Sequence, residues 1–137
     1  MLVSGVLSRA VALALVVSGG LAGGAMALEA GDAAAGAKVF KKCVACHTTE
    51  AGGKSGIGPN LNGVFGRTAG TLEGFGYSDA MKAAGAGGRV WNDETIAEYL
   101  RKPKEAIPKN KMAFVGLKKD TDLANILAYL KEATAAK

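Results

Sequence analysis

The chain has few groups that could bind a metal. It holds one histidine and two cysteines in 137 residues, too few to complete the four-ligand set of a structural zinc site. It has no arginine-rich run and no interleaving of aromatic with basic residues, so nothing marks a nucleic-acid surface. Strand-type alternation is scarce, which argues against a βαβ framework. The charge imbalance is modest, 17 Lys and Arg against 12 Asp and Glu. A net charge of +5 points to acidic partners, although a charge of this size also serves solubility alone.

Residues 10–27 form a long uncharged run dominated by Ala, Val, Leu and Gly, behind the single charge of Arg9 and ending in Ala25-Met26-Ala27, with Leu28 extending the uncharged span to 19 residues. A basic start, an apolar stretch and a small-x-small ending describe a secretory signal peptide. Cleavage after Ala27 leaves residues 28–137 as one domain with a net charge of +4, since Arg9 is the only charge removed. The alternative is an uncleaved membrane anchor, because the run approaches the ~20 residues that span a bilayer. Gly19, Gly20, Gly23 and Gly24 weaken such a helix, and no long tether separates it from the patterned region beginning near Gly31.

Both cysteines fall in Cys43-Val44-Ala45-Cys46-His47, the C-x-x-C-H signature of covalent haem attachment. Two thiols three positions apart can each add across a vinyl group of one porphyrin, and the next residue presents an imidazole to the iron from the same side. A thioredoxin-like pair expects a βαβ setting, and a plain disulfide leaves His47 without a role. As His47 is the only histidine, a second imidazole from the same molecule is excluded. The sixth iron position is then open or filled by another side chain. Beyond the leader the chain has two methionines, Met81 and Met112. A thioether favours ferrous iron and raises the potential. Met112 follows Ile107-Pro108-Lys109-Asn110-Lys111, a stretch that prolines at 103 and 108 keep from regular helix. Met81 lies in a predicted short helix over 78–82, where filling a core gap suffices to explain it.

The remaining pattern is helical. Asp32 is a plausible N-cap for a helix running into the cysteine motif, with Gly36, Val39, Phe40 and Val44 near one another at helical spacing. Gly36 marks a close crossing with a second helix over 120–133, where Leu123, Ile126, Leu127 and Leu130 recur at i, i+3, i+4, i+7 and Tyr129 can reach the crossing. A third helix over 92–101 carries Ile96, Tyr99 and Leu100 and stops before Pro103. Glycine-rich segments, 52–76 and 85–88, read as loops. So small a domain with such long loops has little core of its own; a large flat cofactor supplies one.

With these pieces in order, the chain resembles the soluble class I cytochromes c, of the mitochondrial and bacterial c-two type. The matching runs are the C-V-A-C-H motif, Gly58-Pro59-Asn60-Leu61-Asn62-Gly63, Gly66-Arg67, Gly74-Phe75-Gly76-Tyr77-Ser78-Asp79-Ala80, Val90-Trp91, Glu98-Tyr99-Leu100, Ile107-Pro108 and Lys111-Met112-x-Phe114. The resemblance implies an all-α cytochrome c fold: three main helices, a short one, and Gly-rich loops wrapped around one covalent haem c. It implies that the Pro59 carbonyl accepts the Nδ1–H of His47, that Trp91 and Tyr77 donate to a haem propionate, and that Arg67 offsets propionate charge. It places Tyr99 at the Met112 sulfur and Phe114 over the Met side of the haem. Asn110 stands where many members have Thr, and Met81 where many have Asn, so the polar network near the haem departs from the family's. The 85–88 segment lengthens a loop relative to mitochondrial proteins.

The implied activity is outer-sphere electron transfer by a monomeric periplasmic carrier, with no small-molecule substrate at the metal and no nucleic-acid partner. Lys42, Lys104, Lys109, Lys111, Lys118 and Lys119 flank the two ligand segments, and the resemblance sets such lysines around the exposed haem edge. There they meet acidic docking surfaces of membrane redox complexes. The donor is a quinol-oxidising complex and the acceptor a terminal oxidase or photosynthetic reaction centre. Peroxidase or ligand-sensing chemistry needs an open iron site, which Met112 fills on this reading.

Overall fold

The computed structural model describes residues 28–137; the predicted leader, residues 1–27, lies outside them. Among the described residues the architecture is helical: α1 (Ala33–Phe40), α2 (Asp79–Ala86), α3 (Asp93–Arg101), α4 (Pro103–Ala106) and α5 (Asp120–Ala133). The one extended pairing found there is an isolated antiparallel bridge, Thr68 with Val90.

α1 begins where the side chain of Asp32 accepts the Ala35 N–H at 2.6 Å. It packs against α5 at a distance that only glycine permits. A Cβ on Gly36 would lie 2.0 Å from the Asn125 carbonyl oxygen, and one on Gly31 2.0 Å from that of Ala124. The Asp32 N–H donates to the Asn125 side chain at 2.8 Å, and the rings of Phe40 and Tyr129 meet at 5.0 Å. The helical cost of Gly36, about 1 kcal/mol, is offset by this contact. From α5, Leu123, Ile126, Leu127 and Leu130 are all buried, as their spacing predicts.

α3 is closed by a capping box: the Asn92 side chain accepts the Thr95 N–H, and the Thr95 hydroxyl accepts the Asn92 N–H. It runs antiparallel to α5, with Arg101 paired to Asp120 at one end and Lys131 to Asp93 at the other. These pairs are exposed and worth ~0–1 kcal/mol each; the buried contact between the helices holds them together.

Three expectations change. α1 ends at Phe40, and tight turns carry the chain on, with the Lys42 N–H bonded to Val39 O and the Cys43 N–H to Phe40 O. These turns rotate Val44 off the buried face, leaving it 58% exposed. Secondly, the 85–88 segment is not wholly loop. α2 extends through Gly85, whose missing Cβ lets the helix reach within contact of the Ala69 carbonyl, and stops where Gly88 takes a positive φ of 96°. Thirdly, a one-turn helix, α4, opens directly after α3 with Pro103 at its first position, where a missing N–H costs nothing. Met81 is buried in the core.

Candidate haem site

The cysteine motif lies in the turns that continue α1. The N–H groups of Cys46 and His47 both bond to Cys43 O, at 3.0 and 2.9 Å, so the local turn sets the spacing of the two sulfurs and the imidazole. Neither cysteine is in a disulfide. Burial, aided by the neighbouring Cys46, pushes the Cys43 thiol above its ordinary pKa, while Lys42 opposes this.

His47 is fixed from its far side. Its Nδ1 lies 2.8 Å from the Pro59 carbonyl; with Nδ1 donating there, Nε2 is the ring nitrogen left with a free lone pair. Burial lowers the imidazole pKa, with the Pro59 bond acting in the opposite direction, which favours the neutral ring that a metal ligand needs. The backbone closes tightly behind it: a Cβ on Gly58 would sit 2.4 Å from His47 Cε1.

Asn60, which sequence reading noticed only as part of a motif, pins this loop. It is 7% exposed. Its amide donates to the Thr48 hydroxyl at 2.8 Å and to Glu50 O at 3.0 Å, and its side-chain oxygen accepts the Asn62 N–H at 2.9 Å. Arg67 spreads its guanidinium over the carbonyls of Asn60 and Asn62, so it braces the same loop.

The second segment leaves α4 and carries Met112, half-buried against the core beside Phe114. Asn110 is 4% exposed and bonds backbone groups on either side, including the Met112 N–H at 2.8 Å. Lys109 adopts φ 66°, the one positive φ outside glycine among the described residues.

Trp91, Tyr99 and Tyr77 come from the stretch of sequence between the two segments. The rings of Trp91 and Tyr99 are 5.3 Å apart, and both residues are buried. Burial pushes the Tyr99 hydroxyl up to about 12, against a lowering influence from Arg89. The Tyr77 hydroxyl accepts the Leu72 N–H at 3.3 Å, which leaves its own proton free to donate. Arg89 was not anticipated. Its guanidinium lies 5.3 Å from the Trp91 ring, pairs with Glu98 at 2.7 Å and donates to Thr95 O, while its buried Nε has no partner among the described residues. The available signal was an arginine two places before a tryptophan, which in an extended segment puts both on one face. The six lysines expected near the ligand segments are all exposed.

Two thiols on one turn, followed by a neutral imidazole with one nitrogen committed to a carbonyl, suit a haem held by thioether bonds; the donor chemistry fits the group. That defines a class: proteins that carry haem c covalently and transfer electrons. Residues 33–134 match the cytochrome c family profile, and the chain belongs to that family. It is 51% identical over 98 residues to cytochrome c2 of Afifella marina, covering 72% of this chain and 79% of that one. Against cytochrome c2 of Blastochloris viridis it is 47% identical over 104 residues, covering 76% and 80%. Against cytochrome c of Chlamydomonas reinhardtii the figures are 52% over 107 residues, 77% and 93%. The chain is thus an electron-transfer protein with one covalent haem c, whose attachment motif Cys43 and Cys46 fit, and not an enzyme.

Proposed function

We propose that this protein is a soluble, monomeric periplasmic carrier with His47 and Met112 as its iron ligands. It takes electrons from a quinol-oxidising membrane complex and delivers them to a terminal oxidase or photosynthetic reaction centre. The observation that carries the His47 assignment is the 2.8 Å contact of its Nδ1 with Pro59 O beside two free thiols; Met112 is assigned from the family resemblance and from Asn110 holding its backbone N–H. Residues 1–27, outside the described residues, act as the export signal, and no helix among the described residues is long and apolar enough to cross a membrane.

When bound, the haem supplies one-electron iron chemistry. The chain's own residues hold and tune it. Cys43 and Cys46 tether the group. Pro59 keeps the imidazole in one tautomer and strengthens it as a ligand. Met112 would supply the second iron ligand and so keep small molecules off the metal, and Phe114 would cover it. Trp91 and Tyr77 supply propionate donors and Arg67 a compensating charge. The exposed lysines 42, 104, 109, 111, 118 and 119 form the docking ring, with Ile57 and Val115, 82% and 92% exposed, offering apolar contact on the two ligand segments.

Steering of this kind acts on encounter and weakens with salt. The triple variant Lys42→Gln, Lys118→Gln, Lys119→Gln is expected to slow oxidation by respiratory membranes several-fold at low ionic strength, with rates converging at high salt. A low-salt rate equal to the parent's contradicts the docking role.

A further inference from the structure

The side chain of Asn110 faces backbone on all sides. Its amide donates to Pro103 O and to Ile107 O, both at 2.8 Å, and its oxygen accepts the Met112 N–H at 2.8 Å. Its own N–H reaches Ile107 O at 3.2 Å. Its carbonyl accepts the Lys104 ammonium at 2.6 Å. One buried residue therefore joins the first residue of α4, the residue that caps α4 just past its end, and Met112 itself.

The segment needs such a joint. No regular element spans residues 107–119, and Lys109, immediately before Asn110, holds a left-handed φ of 66° that a side chain with a Cβ disfavours. Downstream of Met112 the chain is anchored by the Leu117 N–H on Leu100 O at 2.8 Å and by Gly116, whose φ of 110° lets it back onto Arg101 O. Upstream, the ties are those of Asn110, Lys104 and a long contact from the Lys111 ammonium to Gly76 O at 3.4 Å.

We propose that Asn110 is the positioning residue for Met112, with Lys104 as its second tie, and that this pair sets how readily an external ligand displaces the thioether. The inference rests on Met112 being the sixth ligand. It also gives Lys104 an internal task that a purely docking lysine lacks. Displacement requires the segment to swing away, which strands the Met112 N–H and the carbonyls of Pro103 and Ile107; buried groups left without partners resist that opening.

The test titrates the ferric holoprotein with imidazole and follows the far-red sulfur-to-iron charge-transfer band, alongside urea unfolding of the helices. Asn110→Ala is expected to bind imidazole roughly tenfold to a hundredfold more tightly, as the loss of such bonds implies. Lys104→Met is expected to bind it about threefold to tenfold more tightly, one charge-assisted bond being removed. Lys38→Met, an exposed charge removed from α1, stays within about twofold of the parent, as a remote surface change should. If Asn110→Ala fails to accumulate, Lys104→Met decides. Variants that lower the urea midpoint but bind imidazole as the parent does overturn the positioning role while leaving Met112 as ligand. A parent protein without the far-red band overturns Met112 ligation, and this inference with it.

Discussion

The two segments proposed to supply the iron ligands are held in opposite ways. The His47 segment grows out of a helix: α1 is locked onto α5 through Gly31 and Gly36, and the turns that follow carry Cys43, Cys46 and His47 in one short span. The Met112 segment leaves the one-turn α4 and crosses to α5 without regular structure. Each is pinned by one buried asparagine, Asn60 on the first and Asn110 on the second, but the first also has a helix behind it and two thioether links. The difference teaches which side yields. A carrier must not lose its cofactor, so the cysteine side is redundant; the Met112 side hangs on a few side-chain and backbone ties with no helix behind it, and local opening is drawn from such weakly supported elements.

The sharpest way to break this comparison is to remove one side at a time. Replacing Cys43 and Cys46 together by Ala is expected to abolish covalent haem, read as loss of haem stain on a denaturing gel. Met112→Ala is expected to keep the stain and lose only the far-red band. Loss of stain in Met112→Ala would mean that the two sides are not independent.

A smaller effect sharpens the helix side. Gly36→Val drives side-chain atoms into the Asn125 carbonyl, where even a Cβ would come within 2.0 Å. It is expected to cost about 3 kcal/mol of global stability, the upper range for overpacking, by urea denaturation. A loss under about 1 kcal/mol, too small for overpacking, would show that the α1–α5 crossing is slack.

The smallest effect concerns Tyr99 on α3. Burial pushes its hydroxyl up to about 12, with Arg89 opposing, while unfolded tyrosines ionise near ~10. The native state therefore holds this proton more tightly than the unfolded chain. The associated stability is whole below about pH 10 and is lost as the pH rises toward 12. Tyr99→Phe should lose less stability than the parent across that interval in stepped-pH urea titrations; equal slopes would contradict the buried, protonated phenol.

What was legible in the sequence followed from short-range chemistry. Asp32 as a cap, the limits of α3 and α5, the haem motif and the Gly36 crossing all depend on spacing or on the absence of a side chain. The family resemblance added Pro59 as a partner of His47, and its carbonyl oxygen lies 2.8 Å from Nδ1. What was not legible depends on distant backbone. Val44 leaves the buried face because turns replace helix after Phe40. Gly85 is helical because Ala69, sixteen residues earlier, lies against it. Asn60 and Asn110 act through carbonyls and N–H groups that folding brings to them, and an asparagine in a loop gives no sign of how many it will meet. Arg89 stayed hidden for the same reason: its partners, Trp91, Thr95 and Glu98, come together only once the extended segment and α3 are in place.

The central claim is a covalent haem with His47 and Met112 on its two sides. Visible spectra of the purified, exported protein in both oxidation states test it most directly. Sharp α and β bands are expected on reduction, retained after denaturation and solvent extraction, together with the far-red ferric band of sulfur ligation. Haem bands without that ferric band would contradict Met112 as ligand and leave the sixth position to other chemistry. No haem at all, from a host competent in haem c attachment, would contradict the account at its root and return Cys43 and Cys46 to thiol chemistry.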